Sequence, residues 1–176
     1  MHQTLLSDLA RILGPDHPHT LASRNNLAAA YQRAGRLDDA ITRFEEVLAD
    51  STRILGPNHP HTLTSHNNLA YTYRSAGRLD EAITHFEEVL ADHLRVLGPD
   101  HPRTLASRNN LAYAYQAAGH LDDAIPLYEE VLADRVRVLG DNHPDTFTSR
   151  DNLAYAYLAA GRLDDAMVLF DQPTDP

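Results

Sequence analysis

Apolar residues in this chain fall into two alternating patterns. From Leu37 to Leu55, the residues Leu37, Ala40, Ile41, Phe44, Val47, Leu48 and Leu55 recur at helical spacing. They form one stripe of an amphipathic α-helix. Ahead of it, Pro18 to about Ala34 reads as another helix. A proline in the first turn suits its start, Asp16 or His17 can cap it, and Gly35 ends it. Gly56-Pro57 stops the second helix. Asp38 and Asp39 open that helix at the positive end of its dipole, and Arg53 closes it at the negative end. No strand-like alternation is present.

The pair then recurs. "LGPDHPHTLAS" at Leu13 returns as "LGPNHPHTLTS" at Leu55, "LGPDHPRTLAS" at Leu97 and "LGDNHPDTFTS" at Leu139, a step of 42 residues each time. The period predicts a single array over 1–176: a partial second helix at 1–13, full repeats at 14–55, 56–97 and 98–139, and a truncated repeat at 140–176. One hairpin cannot bury its stripe alone, so neighbours must stack into an all-α solenoid of antiparallel helix pairs.

Each first helix contains adjacent asparagines, as in "SRNNLAAAYQRAG" from Ser23, although Asn is a poor helix former. With Leu27 set at the centre of one face and about 100° per residue, Ser23, Ala30, Tyr31 and Ala34 share its packing side. Ala22, Asn25, Asn26, Ala29, Gln32 and Arg33 then point outward. If first helices line one side of the stack, their outward residues form columns. Asn26, Asn68, Asn110 and Asn152 make one, and Asn25, Asn67, Asn109 and Asp151 a second. Ala29, Tyr71, Tyr113 and Tyr155 make a third, with Arg74 at the place of Gln32. An amide donates and accepts, so such a ladder can hold the backbone of an extended peptide, and tyrosine adds flat area with a polar tip. The same amides can also bond to the adjacent first helix and knit repeats together. The two roles are compatible.

The pattern "NNLAxxYxxxGxLxxA" resembles the tetratricopeptide repeat through Leu27, Ala28, Tyr31, Gly35, Ala40 and Phe44. The 42-residue length and the "LGxxHP" link are similar to the long repeats of kinesin light chains and of many bacterial signalling proteins. The resemblance implies a right-handed superhelix that binds peptides in a concave groove. It also implies cargo contact by first-helix asparagines, whose places Asn26, Asn68, Asn110 and Asn152 hold here. Two features depart from the family. Thr52 stands where a proline usually follows the second helix, and the helix runs on to Leu55. Ala22, Thr64, Ala106 and Thr148 occupy the places of the Lys and Arg that clamp a C-terminal carboxylate in chaperone-binding members, so that clamp is not expected.

Composition narrows the reading. The 176 residues carry a formal charge of −10, every Lys/Arg position is Arg, and there is no cysteine. An acidic chain argues against nucleic-acid binding. Absence of Lys removes Schiff-base and P-loop chemistry, and absence of Cys removes disulfides and thiolate metal sites. No apolar run approaches the length of a membrane span. We expect a cytoplasmic protein with no membrane contact and no cofactor. His17, His59, His101 and His143 stand on successive repeats, too far apart for one ion, and are expected to cap helices. Recurrent Ser, His and Asp argue against a unique catalytic triad, so no enzyme is expected. Arg24, His66, Arg108 and Arg150 lie beside the packing face, where they either pair with Glu or Asp on a neighbouring helix or reach the groove edge. Pro126 falls on the solvent side of its helix and is expected to be tolerated with a slight outward bend. Residues 1–13 and Arg162 to Phe170 look like the back and front of one second helix, which gives an alternative function: an array that associates through uncapped ends as a homo-oligomer.

Overall fold

The computed structural model describes Leu9 and residues 11–170. Eight helices are delimited among them: α1 (Pro18–Arg33), α2 (Leu37–Leu55), α3 (Pro60–Ser75), α4 (Leu79–Leu97), α5 (Pro102–Ala117), α6 (Leu121–Leu139), α7 (Pro144–Ala159) and α8 (Leu163–Phe170). Residues 11–13 are also helical, and no strand occurs among the described residues. The bounds of α2 match the sequence reading, and α1 ends one residue early with Ala34 as its cap.

The caps explain the boundaries. The rings of His17, His59, His101 and His143 each accept, through Nδ1, the backbone N–H two residues on, at 3.1 to 3.2 Å. A proline follows each at the first helical position, where its missing N–H costs nothing. Helix α1 closes in a Schellman turn: Arg36 N–H donates to the Tyr31 carbonyl at 3.0 Å and Gly35 N–H to that of Gln32 at 2.9 Å. That turn needs Gly35 at φ +74°, a conformation costly for any residue with a Cβ.

The chain divides into two compact units between His85 and Phe86, within α4. In the first, α2 packs against both α1 and α3, and α1 also touches α3. In the second, α6 packs against α5 and α7, and α8 against α7. Ala28, Ala40 and Phe44 in the first unit are fully buried, as are Ala112, Ala124 and Tyr128 in the second. Tyrosines tie successive repeats. Tyr73 donates to Glu45, Tyr115 to Glu87 and Tyr157 to Glu129, at 2.5 to 2.6 Å. Burial, then the carboxylate, pushes the Tyr73 and Tyr157 phenols up to about 12. For Tyr115 the Glu87 hydrogen bond is the larger cause of a rise to about 12. All three remain neutral donors at ordinary pH.

The first helices bury the expected face, with Leu69, Leu111, Leu153, Ser65, Ser107 and Ser149 all buried, and extend it by one further column. Ala28, Ala70, Ala112 and Ala154 are fully buried, with Thr20, Thr62, Thr104 and Thr146 beside them. Leu27 is only half-buried and Ala34 is exposed. The hydroxyls of Thr20, Thr62 and Thr146 donate to the carbonyls of Gly14, Gly56 and Gly140 at 2.8 to 2.9 Å, so their burial leaves no orphan. Of the four positions beside that face, His66 meets His85 and Arg150 meets the loop residue Asp141 at 3.6 Å, while the other two find acidic partners on the second helix. Arg24 pairs with Asp50 and Arg108 with Asp134, both at 2.7 Å. Helix α6 runs unbroken through the exposed Pro126.

One interior position varies in chemistry. Arg135 donates to Ser149 Oγ at 2.7 Å and to the Asp145 carbonyl at 2.8 Å. One repeat earlier, His93 Nδ1 contacts Ser107 Oγ at 2.7 Å. One repeat earlier again, Ser51 Oγ is buried without a partner.

Two predictions follow from this packing. Ala112→Leu is expected to overpack the crossing and cost about 1–3 kcal/mol in urea denaturation, while Ala117→Leu, on the exposed side, stays within about 0.5 kcal/mol. Burial, aided by Arg103 and His101 and opposed by Asp92, holds the His93 pKa below its usual 6.5. Above that value the ring is neutral in both states and its share of stability is complete. As pH falls below it, the unfolded chain takes up a proton that the folded chain declines, and stability is lost down to the folded pKa. Urea melts at about pH 7.5 and about pH 5.5 are expected to differ less for His93→Gln than for the parent.

Candidate functional site

The expected binding residues lie on the first helix of each repeat. In the first unit, α1 carries Asn25, half-buried, and Asn26, exposed. Helix α3 carries Asn67, Asn68, Tyr71 and Arg74, all half-buried. The Arg74 guanidinium lies 4.7 Å from the Tyr71 ring centroid, a cation–π contact that orients both groups. In the second unit, Asn109 and Asn110 on α5 and Asn152 on α7 are half-buried. Tyr113 and Tyr155 stand out, 47% and 60% exposed.

The amides point less freely outward than the helical wheel implies. Asn152 Nδ2 donates to Asn109 Oδ1 at 3.0 Å, bonding α7 to α5. The asparagines at this step therefore knit neighbouring first helices while keeping partial exposure. The equivalent oxygen in the first unit, Asn25 Oδ1, is buried and has no hydrogen-bond partner. A buried acceptor left unmet costs about 1–3 kcal/mol.

Around the amides the surface is small or aromatic. Thr64, Ala106 and Thr148 are exposed at the places a carboxylate clamp would use. Leu158 is an exposed residue that the sequence reading passed over. It occupies the position of Gln32, Arg74 and Gln116, and that change from polar to apolar was the available signal. Tyr155 also meets Phe170 of α8 edge to face, with centroids 6.3 Å apart. The resulting face offers amide donors and acceptors, phenolic tips and apolar area in a short space. Shallow concavities elsewhere lie at the loops Gly119–Asp123 and Leu139–Pro144, away from the asparagines. No helix among the described residues is long and apolar enough to cross a membrane.

Comparison with known proteins gives a consistent picture. The family model described as tetratricopeptide repeat matches residues 1–51, 23–93, 66–135 and 122–172. No curated protein matches the chain in sequence. A solved structure of nearly identical TPR-like repeats of a putative kinesin light chain from Podosopora anserina is similar at 36% identity. It covers 97% of this chain and 81% of that one, with a TM-score of 0.86. BtubC (BKLC) from P. vanneervenii is similar at 26% identity, over 97% of this chain and 68% of its own, with a TM-score of 0.84. A Rap protein complexed with competence and sporulation factor shares the fold at 14% identity, over 87% of this chain and 41% of its own, with a TM-score of 0.71.

The Asn109–Asn152 bond is testable without a ligand. Asn109→Ala and Asn152→Ala are each expected to cost about 0.5–1.5 kcal/mol, and the double variant less than their sum. Additive losses in a double-mutant cycle would show that the amides do not couple.

Proposed function

The chain belongs to the tetratricopeptide repeat family, and from that premise we propose that it is a non-catalytic protein–protein interaction scaffold that holds an extended partner segment along its first helices. One observation carries this reading: partly exposed amides recur beside exposed tyrosines on that helix face. An extended backbone alternates donors and acceptors, which carboxamides can meet without reading side chains. In the first unit the contact set is Asn25, Asn26, Asn67, Asn68, Tyr71 and Arg74. In the second it is Asn109, Asn110, Asn152, Tyr113 and Tyr155. The rigid rings supply most of the buried area at low entropic cost. Without cations at Ala22, Thr64, Ala106 and Thr148, the partner is held along its length rather than by a terminal carboxylate. The net acid charge directs the surface toward protein rather than nucleic acid.

A second reading has a specific support. Helix α8 exposes Leu163, Met167, Val168 and Phe170, each more than half accessible. Such an apolar face favours self-association. The complementary segment foreseen at 1–13 lies mostly outside the described residues.

The two readings separate experimentally. Asn68→Ala/Asn110→Ala is expected to weaken partner capture from the source cell by at least about tenfold while leaving assembly unchanged. Met167→Glu is expected to change only the association seen by analytical ultracentrifugation. Capture at full strength by the double Asn variant would remove the first-helix surface from consideration.

A further inference from the structure

The repeats offer an internal comparison, and one pair of departures meets in space. Where His66 stands, the other repeats carry Arg24, Arg108 and Arg150. Where His85 stands, they carry Arg43, Leu127 and Leu169. Arg24 and Arg108 reach across to Asp50 and Asp134. In this repeat the arginine is gone, and His66 Nε2 lies 3.0 Å from His85 Nδ1. Both histidines belong to the first unit, His66 on α3 and His85 early in α4.

We propose that His66 and His85 are paired imidazole ligands for a divalent late transition-metal ion of the Ni²⁺, Cu²⁺ or Zn²⁺ class. With metal–nitrogen bonds of about 2.0–2.1 Å, two nitrogens at right angles on one ion stand about 2.9 Å apart, and two on a tetrahedral ion about 3.3 Å. The observed 3.0 Å, which is also the length of the hydrogen bond between the rings, is close enough to both spacings that a small ring movement would admit either ion. The rings cross at 81°, which prevents them from stacking flat. Tyr73 stacks on the His85 ring at 5.1 Å, only 8° from parallel, and holds its plane. His66 is 9% exposed and so is positioned by its surroundings.

The protonation states are simple. In the metal-free pair, one neutral ring donates a proton to the facing nitrogen of the other. When the ion binds beside the N···N line, that ring takes the tautomer with its proton on the far nitrogen. Both facing lone pairs are then available, and a neutral pair releases no proton.

The pairs His17/His19 and His59/His61, whose rings lie 5.2 and 5.4 Å apart, are the competing weak sites that the test must separate. The test is calorimetric titration of the full chain with NiCl₂ and, separately, ZnCl₂ at about pH 7.5 in a non-coordinating buffer. One tight site is expected for each ion. His66→Arg and His85→Arg restore residues that the repeat itself uses at these places, so both chains are expected to fold. Each is expected to weaken that site by at least about tenfold. His19→Gln/His61→Gln is expected to leave it unchanged. If His66→Arg fails to fold by circular dichroism, the half-exposed His85→Arg carries the test alone. Nitrogen NMR of the parent with Zn²⁺ supplies a second readout, in which His66 Nε2 and His85 Nδ1 should shift together. Equal affinity in parent and His85→Arg, or loss of the site in His19→Gln/His61→Gln, would overturn the assignment.

Discussion

Close approach of helices at alanine governs this structure. Ala28, Ala70, Ala112 and Ala154 on the first helices, and Ala40, Ala82, Ala124 and Ala166 on the second, are all fully buried. A methyl group at these positions lets helix axes come within the usual 8–10 Å of close packing. The larger residues Phe44, Phe86 and Tyr128 fill the space further along the second helices. Because that contact fixes how far each helix slides along its partner, a residue occupies the same place in every repeat. Recurrence of Tyr73–Glu45, Tyr115–Glu87 and Tyr157–Glu129 is a consequence of that register, as is recurrence of the asparagines on one face.

Helix existence and boundaries were legible in the sequence because several local signals agree. Helix α2 combines a clean apolar stripe, acidic residues in its first turn, Arg53 in its last and Gly56 after it. The faces of the first helices were harder to read. Their cores use Thr20, Thr62, Ser65 and Ser107, which a hydrophobic count scores as polar. These side chains enter the interior because their hydroxyls find nearby partners: Thr62 bonds to the Gly56 carbonyl and Ser65 to that of His61. A helix built from Ala, Ser and Thr on both sides has a weak stripe, so the wheel placed Ala34 inward and the asparagines fully outward. The amides lie between those extremes, as the Asn109–Asn152 bond makes plain.

Contacts between repeats were hidden for a different reason. Tyr157 and Glu129 are 28 residues apart, and only the stacking geometry brings them together. The same holds for Arg24 with Asp50. Sequence periodicity says that such contacts recur once one is known, yet it does not say which residues touch. The tyrosine column shows the limit well: Tyr71 is held half-buried beneath Arg74, whereas Tyr155 is open to solvent.

Departures from the repeat follow a physical rule. A polar group moved into the interior must meet a partner or remain unmet at a cost. His93 finds Ser107 and Arg135 finds Ser149, whereas Ser51 finds none. The serines that receive these partners recur throughout, so the second helix can vary against a fixed acceptor without disturbing the stack. His66 and His85 extend that rule, because replacing an arginine there also required a new neighbour within bonding distance. On the first-helix face the demand is weaker, since water can serve whatever the neighbouring helix does not. Variation there, from Ala29 to Tyr71, Tyr113 and Tyr155, is free to answer to a partner while the alanine crossings keep the ladder in register.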